Sequence, residues 1–136
     1  MKARLAALAA VAALAVAGCQ NSVAAINRNP TVGAMTAEAG SDGIQKITVV
    51  VNDTYRFYPS TLTVHPGTVQ ITLKHEGTGA PHDLSVVGLP ADFVPLTHAG
   101  QTSTASFTAP APGRYTFVCT IHEAQGQTGA LIVLPR

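Results

Sequence analysis

The residues best suited to chemistry lie close together near the C-terminus. Cys119 and His122 are followed by Gln127 in the stretch Cys-Thr-Ile-His-Glu-Ala-Gln-Gly-Gln, and His82 stands upstream in Pro-His-Asp. Two imidazoles and one thiolate in a plane, with a weak axial Met, Gln or carbonyl, suit copper that cycles between two oxidation states. The spacing predicts that one short loop delivers three donors to a metal, while a distant strand end supplies the fourth.

Each of these residues also has an ordinary structural explanation. A lone Cys in a β-protein is usually a small buried apolar side chain, and a lone His is more often solvated than bound to a metal. Zinc held by two His, one Cys and a water is a further alternative. Four such donors in order on a strand-rich sequence favour one mononuclear copper site.

The sequence around these donors resembles cupredoxins, the plastocyanin-like type 1 blue copper proteins. The stretch Gly-Arg-Tyr-Thr-Phe-Val-Cys-Thr-Ile-His, which ends at His122, is similar to the end of that family, and so is Gly126 to Val133. Phe57 to Leu73 resembles the paired early strands of the family. Residue His82 stands where the first copper His would be. The resemblance spans Ile44 to Leu134 and implies a copper-binding electron carrier in which His122 exposes one edge as the electron port.

The axial position departs from the Gly-Met-x-Gly pattern common in that family. Gln127 takes the place of the Met. The only methionines of the chain, Met1 and Met35, are far in the sequence from residues 119–127, which are called the Cys loop below. We therefore expect Gln127 to be the axial ligand, as Gln is in stellacyanin-like sites, with Gln125 as the second candidate. An amide oxygen is a harder donor than a thioether, so it should favour Cu(II) and lower the reduction potential.

The N-terminus predicts export. Lys2 and Arg4 precede an apolar run over residues 5–17, which is the layout of a secretory signal and is too short for a comfortable transmembrane span. Residues 1–18 are therefore interpreted as a signal peptide. The ending Val-Ala-Gly-Cys resembles the lipobox of bacterial lipoproteins, in which Cys19 would become the lipidated first residue. An ordinary cleavable signal is the alternative.

Residues 19–43 are rich in Ala, Asn, Ser, Thr and Gly and are predicted to be a flexible linker. With lipid on Cys19, the domain would be anchored to the cell membrane and face the periplasm or the cell exterior. The chain has two cysteines. Because Cys19 is assigned to lipid and Cys119 to metal, we expect no disulfide between them.

Residues 44–136 predict one all-β domain. Short runs of β-branched and apolar residues alternate with turn residues, and several runs carry apolar side chains at every second position, as a half-buried strand requires. Seven or eight such strands favour a two-sheet Greek-key sandwich. The runs are 47–51, 61–64, 69–73, 84–87, 102–108, 115–119 and 130–134.

Charge and composition exclude some functions. The chain has 8 Lys and Arg against 7 Asp and Glu, and without a basic stripe no nucleic-acid partner is expected. We find no nucleophile–base constellation, so we do not expect an enzyme. The predicted function is a monomeric one-electron carrier for redox partner proteins of a respiratory or envelope chain. The alternative is a copper chaperone or resistance protein, which the scarcity of Met disfavours.

Three histidines remain outside the predicted site. His65 precedes a turn and is expected to be solvated, and His98 lies in a loop with no role assigned. His75 ends a strand, where it is either a surface residue, the favoured interpretation, or an outer partner of the metal ligands.

Overall fold

The computed structural model describes residues 32–136. The predicted signal peptide and Cys19 lie outside the described residues. Within this range there are ten strands and a short 3-10 turn at Glu123–Gln125. The strands are β1 (Ala34–Thr36), β2 (Ile44–Val51), β3 (Phe57–Tyr58), β4 (Thr61–Val64), β5 (Thr68–His75), β6 (His82–Val86), β7 (Leu89–Thr97), β8 (Thr102–Thr108), β9 (Gly113–Val118) and β10 (Thr128–Val133).

The strands form two packed sheets. One has the order β1-β4-β10-β9-β6-β7 and the other the order β3-β2-β5-β8. Strand β10 pairs with β4 in parallel and with β9 in antiparallel orientation, and β2 and β5 are also parallel. The all-β two-sheet sandwich predicted from the sequence is confirmed. The strand count exceeds the predicted seven or eight because β1, β3 and β7 were not expected.

The core lies between the sheets and follows the alternation of the strands. Along β5, the side chains of Val69, Ile71 and Leu73 are buried, each with an exposed fraction of 1% or less. Phe57 and Phe117 meet edge to face in the core, with ring centroids 5.0 Å apart. Burial of these side chains is the main contribution to the stability of the sandwich.

Part of the predicted linker is structured. Strand β1 pairs in parallel with β4, and the Ala37 backbone N–H donates to the Thr63 carbonyl at 2.8 Å. The Ala37 side chain is only 2% exposed and belongs to the core. The folded domain therefore begins before Ile44, because β1 adds a strand to the sheet edge at β4.

Among residues 32–136, no helix is long and apolar enough to cross a membrane.

Candidate metal centre

The loop between β9 and β10 is shaped by its own backbone. The Cys119 N–H donates to the Gln127 carbonyl at 3.0 Å, which extends the ladder of the β9–β10 hairpin by one bond. The His122 N–H donates to the Cys119 carbonyl at 3.1 Å, and the Gln127 N–H donates to the His122 carbonyl at 3.2 Å. Gly126 closes the turn with a φ of 83°, a conformation that favours glycine. The loop thus turns Cys119, His122 and Gln127 toward one point.

The fourth side chain comes from the start of β6. Strand β6 lies beside β9, with Ser85 opposite Val118, so that His82 reaches the end of the sandwich where the Cys loop closes. The side chains of His82 and Cys119 have no exposed surface, and His122 is 7% exposed. His82, Cys119 and His122 form a three-residue cluster with ligand atoms within 4.8 Å of one another.

The donor atoms face each other. The Cys119 Sγ is 3.4 Å from the His122 Nδ1 and 4.0 Å from the His82 Nδ1. The two Nδ1 atoms are 3.2 Å apart. Donors about 2.0–2.3 Å from one metal, at angles between tetrahedral and trigonal, lie about 3.3–3.8 Å from one another. The three distances lie within this range or a few tenths of an ångström outside it, so the spacing of the cluster is close to that of two imidazoles and one thiolate on a single metal ion.

The Gln127 side chain is buried beside the cluster. Its side chain has no exposed surface, and its Oε1 accepts a hydrogen bond from the His82 Nδ1 at 2.8 Å. Its amide nitrogen is buried without a hydrogen-bond partner, which costs about 1–3 kcal/mol for a buried donor. Gln125, the second axial candidate, lies in the 3-10 turn and is half-buried. The structure thus places Gln127 against the other donors.

Burial sets the protonation of the metal-free ligands. Desolvation lowers the pKa of His82 to about 4, against the opposing effect of the hydrogen bond that His82 donates to Gln127. Desolvation also lowers the pKa of His122. It raises the pKa of the Cys119 thiol, which is not part of a disulfide. Both imidazoles are thus neutral at neutral pH, whereas the thiol must release its proton when it binds a metal.

His75 lies under the cluster and not at the surface. It takes the next inward position of β5 after Leu73, is 2% exposed, and packs its ring on that of His82 with centroids 4.8 Å apart. The His75 Nδ1 accepts from the Gly77 N–H, so its Nε2 is the protonated nitrogen and donates to the Ala80 carbonyl. The prediction that His75 is a surface residue is wrong. The alternation of buried and exposed positions along β5 includes one more inward position than the apolar residues alone indicate.

Asp83 links the Cys loop to β6 through hydrogen bonds. Its carboxylate accepts from the Thr120 backbone N–H at 2.7 Å and from the Thr120 hydroxyl. Since Asp83 follows His82 and Thr120 follows Cys119, this contact fixes the two ligand-bearing segments against each other. Neither residue was assigned a role from the sequence, because the contact joins positions 37 residues apart.

Tyr55 covers part of His122. Its ring centroid is 4.6 Å from that of His122 and 6.1 Å from that of His82. The backbone of Tyr55 has a φ of 55°, which is uncommon for a bulky residue. The sequence carried no signal for this contact beyond the turn-forming residues that precede Tyr55. The expected exposed edge of His122 is therefore small.

Comparison with known proteins agrees with this architecture. A family model described as a cupredoxin-like domain matches residues 6–133, whereas no curated protein matches the sequence. Auracyanin from the photosynthetic bacterium Roseiflexus castenholzii is 25% identical, with a TM-score of 0.61 over 73% of this chain and 99% of its own. Auracyanin A, a "blue" copper protein from Chloroflexus aurantiacus, is 26% identical, with a TM-score of 0.59 over 67% and 99%.

A third structure shares the fold at lower identity. The metal-binding domain of a Cu(I)-exporting P-type ATPase from Streptococcus pneumoniae is 18% identical, with a TM-score of 0.63 over 76% of this chain and 98% of that domain. At this identity the likeness concerns the fold alone. The same sandwich thus occurs both in blue copper proteins and in a domain of a copper exporter.

Proposed function

The chain belongs to the cupredoxin-like family, and from this premise we propose that it is a one-electron carrier with a single type 1 copper site. His82, Cys119 and His122 would hold the copper, with Gln127 as the weak axial ligand. The observation that carries the proposal is the convergence of three buried ligand atoms within 4.8 Å. The copper, when bound, would supply a one-electron couple.

The protein supplies a rigid and dry setting for that couple. The backbone hydrogen bonds of the Cys loop and the contact between Asp83 and Thr120 hold the segments that carry the donors against each other. Because the side chains of His82, Cys119 and Gln127 are fully buried, little water or side-chain movement accompanies a change in charge. Small rearrangement keeps the barrier to electron transfer low.

The edge of His122 is the shortest way from the cluster to the surface, since it is the only one of the four donors with exposed area, at 7%. Its neighbour Ile121 is 49% exposed. With a net charge of only +1, the chain offers little electrostatic steering. We expect a redox partner to dock here mainly through apolar contact.

Two other functions fit this geometry less well. A metallochaperone needs donors that a partner can reach and exchange, whereas the thiolate and one imidazole here are fully buried. A copper enzyme needs a coordination position open to substrate, whereas the buried Gln127 side chain lies against His82 within this cluster. Both features support a carrier over a delivery protein or an enzyme.

The proposed cellular location of the protein rests on its N-terminal segment. Lipid on Cys19 would anchor the domain to the cell membrane, on its periplasmic or external face, near membrane-bound redox partners. The residues between Cys19 and Val32 would then form the tether. The support for this part is the signal-like sequence alone.

A redox titration in the presence of a strong Cu(I) chelator tests the carrier function. We expect reversible one-electron cycling with the copper retained in both states, and loss of the couple in Cys119→Ser. His98→Gln, at an exposed loop position, is the matched control and should behave as wild type. Transfer of copper to the chelator on reduction would contradict the carrier function and favour delivery.

A further inference from the structure

Strand β1 determines at which end of the sandwich the domain begins. Strand β10 starts directly after Gln127, so its first residues lie at the end that carries the four donors, the metal-bearing end. Thr61 of β4 pairs in parallel with Ala130 of β10 and with Ala34 of β1. Because all three strands run in the same direction, β1 also starts at the metal-bearing end.

Without β1, the domain would begin at the opposite end, the far end. Strand β2 pairs in parallel with β5, with Ile44 opposite Thr68 and Val51 opposite His75. His75 packs on His82 at the metal-bearing end. Ile44 therefore lies at the far end, about 23 Å away along a strand of eight residues. The residues before β2 thus move the start of the domain from the far end to the metal-bearing end.

Hydrogen bonds fix the point where the chain enters the sheet. The Val32 N–H donates to the Ser60 Oγ at 2.7 Å, and the Ser60 N–H donates to the Val32 carbonyl at 3.0 Å. The Thr61 N–H donates to the Gly33 carbonyl at 3.3 Å. Since Ser60 is only 2% exposed, the first described residues are bound to a buried part of the sheet end.

This entry point lies close to the metal cluster. Val32 precedes Ala34 by two residues, which places it about level with Thr128, the residue after Gln127. Only β4 lies between β1 and β10, so two strand spacings, about 10 Å, separate the backbones of Val32 and Thr128. The chain that precedes Val32 therefore joins the domain beside the donors and not behind them.

We propose that β1 directs the metal-bearing end toward the membrane, and that the electron partner is a redox protein embedded in that membrane with its redox group near the surface. The inference rests on the proposed carrier function and on the lipid anchor at Cys19. Residues 20–31 span at most about 43 Å when fully extended. The exchange is balanced, because the partner gains the one electron that the carrier loses, or the reverse.

The advantage of this arrangement is confinement. Anchoring two proteins in one membrane raises the effective concentration of each for the other, provided that their docking surfaces can meet. With the tether at the metal-bearing end, the edge of His122 and its exposed neighbour Ile121 lie close to the membrane surface. With a tether at the far end, the length of the sandwich would separate these residues from the surface.

The test supplies the anchor chemically and changes only the end at which the tether joins the domain. Residues 19–136, loaded with copper, are coupled through Cys19 to maleimide-bearing phospholipids in phosphatidylcholine vesicles. Cys119 has no exposed surface and is not expected to react. Anchoring therefore does not depend on whether a cell attaches lipid to Cys19.

The comparison protein is anchored from its C-terminus. It carries Cys19→Ser, a second copy of residues 20–31 after Arg136, and one final Cys for the coupling. The C-terminus lies at the far end, where the Leu134 N–H donates to the Val64 carbonyl at 2.9 Å. The folded domain is identical in both proteins, so a difference between them reports the position of the tether.

Two measurements compare these proteins. The first is the rate of electron transfer to ferrocenium groups attached to lipid headgroups, relative to the rate with soluble ferricyanide. We expect the N-terminal anchor to give the higher relative rate, by about tenfold. The second is photo-cross-linking to a reactive lipid headgroup, mapped on peptides. We expect cross-links in residues 119–127 with the N-terminal anchor and in residues 109–112, the loop at the far end, with the C-terminal anchor.

An equal relative rate in the two proteins would overturn the inference, and so would cross-links at the far end of the N-terminally anchored protein. In both cases an intact type 1 copper site leaves the proposed function standing, so the inference fails alone. If no type 1 site forms, the carrier function fails and the assignment of a redox partner fails with it. The cross-links of the metal-free proteins then still decide which end faces the membrane.

Discussion

The four donor side chains are positioned by contacts within the protein. Three lie in a loop closed by hydrogen bonds between Cys119, His122 and Gln127, and this local arrangement is why their spacing could be interpreted from the sequence. The residues around the donors could not be predicted in the same way. His75 and Asp83 lie beside the donors only because strands that are distant in the sequence pair with one another. A single sequence carries no signal for such contacts until the register of the strands is known.

The axial residue should set the potential of the centre. In Gln127→Met, a thioether replaces the amide oxygen that lies 2.8 Å from the His82 Nδ1. We expect a higher reduction potential, because the softer donor stabilises Cu(I), measured by redox titration. Gln125→Met, in the adjacent 3-10 turn, is the matched control and should leave the potential unchanged. A rise in the control and not in Gln127→Met would move the axial role to Gln125.

The buried His82 should make the metal-free protein sensitive to acid. Its pKa is about 4 in the folded state, below the ordinary value of 6.5. The unfolded chain therefore binds more protons between these values, and the free energy of unfolding falls as the pH is lowered from 6.5 to about 4. The loss from this residue is about 3 kcal/mol, and below pH 4 it levels off.

Urea unfolding of the metal-free protein across this pH range measures the effect. His82→Gln should show a shallower loss of stability than wild type, because the replacement does not titrate. His98→Gln, which changes an exposed histidine, should keep the wild-type slope. An equal slope in wild type and His82→Gln would show that His82 is not the group responsible.

At the scale of the strands, the sequence identified those that follow simple alternation and missed those that do not. Strands β2 and β5 carry buried residues at every second position, and this alternation was sufficient to identify them as strands from the sequence. Strand β7 contains two prolines and has register shifts in its pairing with β6, so its pattern resembles a loop. Strand β1 is three exposed residues in a polar segment, and only its pairing with β4 makes it a strand.

The first strand should contribute measurably to stability. A chain that begins at residue 32 retains β1 and Ala37, whereas one that begins at Ile44 loses the pairing with β4 and the burial of Ala37. We expect the shorter chain to be less stable by about 1–3 kcal/mol, from lost backbone hydrogen bonds and apolar burial. Urea unfolding of both metal-free chains measures this, and equal midpoints and slopes would show that β1 contributes nothing.

The molecule as a whole combines a two-sheet sandwich with an N-terminal segment whose sequence predicts export. The sandwich gathers all four donors at one end, while the N-terminal strand β1 pairs at an edge of the larger sheet. A tether attached at that edge would leave the end of the sandwich that carries the four donors accessible to a redox partner. Sequence patterns near the N-terminus predicted export and lipidation from residue type alone, independently of the fold.

Cell fractionation tests the predicted anchor. The wild-type protein expressed with its own N-terminus should sediment with membranes and be released by detergent. Cys19→Ser removes the only atom that could carry the lipid thioether, so it should appear in the soluble fraction or remain uncleaved. Asn21→Ser changes a neighbouring polar residue and should leave the distribution unchanged. A wild-type protein found wholly in the soluble fraction would contradict the anchor.

The visible and electron paramagnetic resonance spectra of residues 32–136 loaded with Cu(II) test the central claim most directly. The cluster of His82, Cys119 and His122 predicts an intense charge-transfer band from thiolate to copper together with narrow copper hyperfine splitting, both lost in Cys119→Ser. A pale protein with the hyperfine parameters of ordinary copper complexes would contradict the type 1 site.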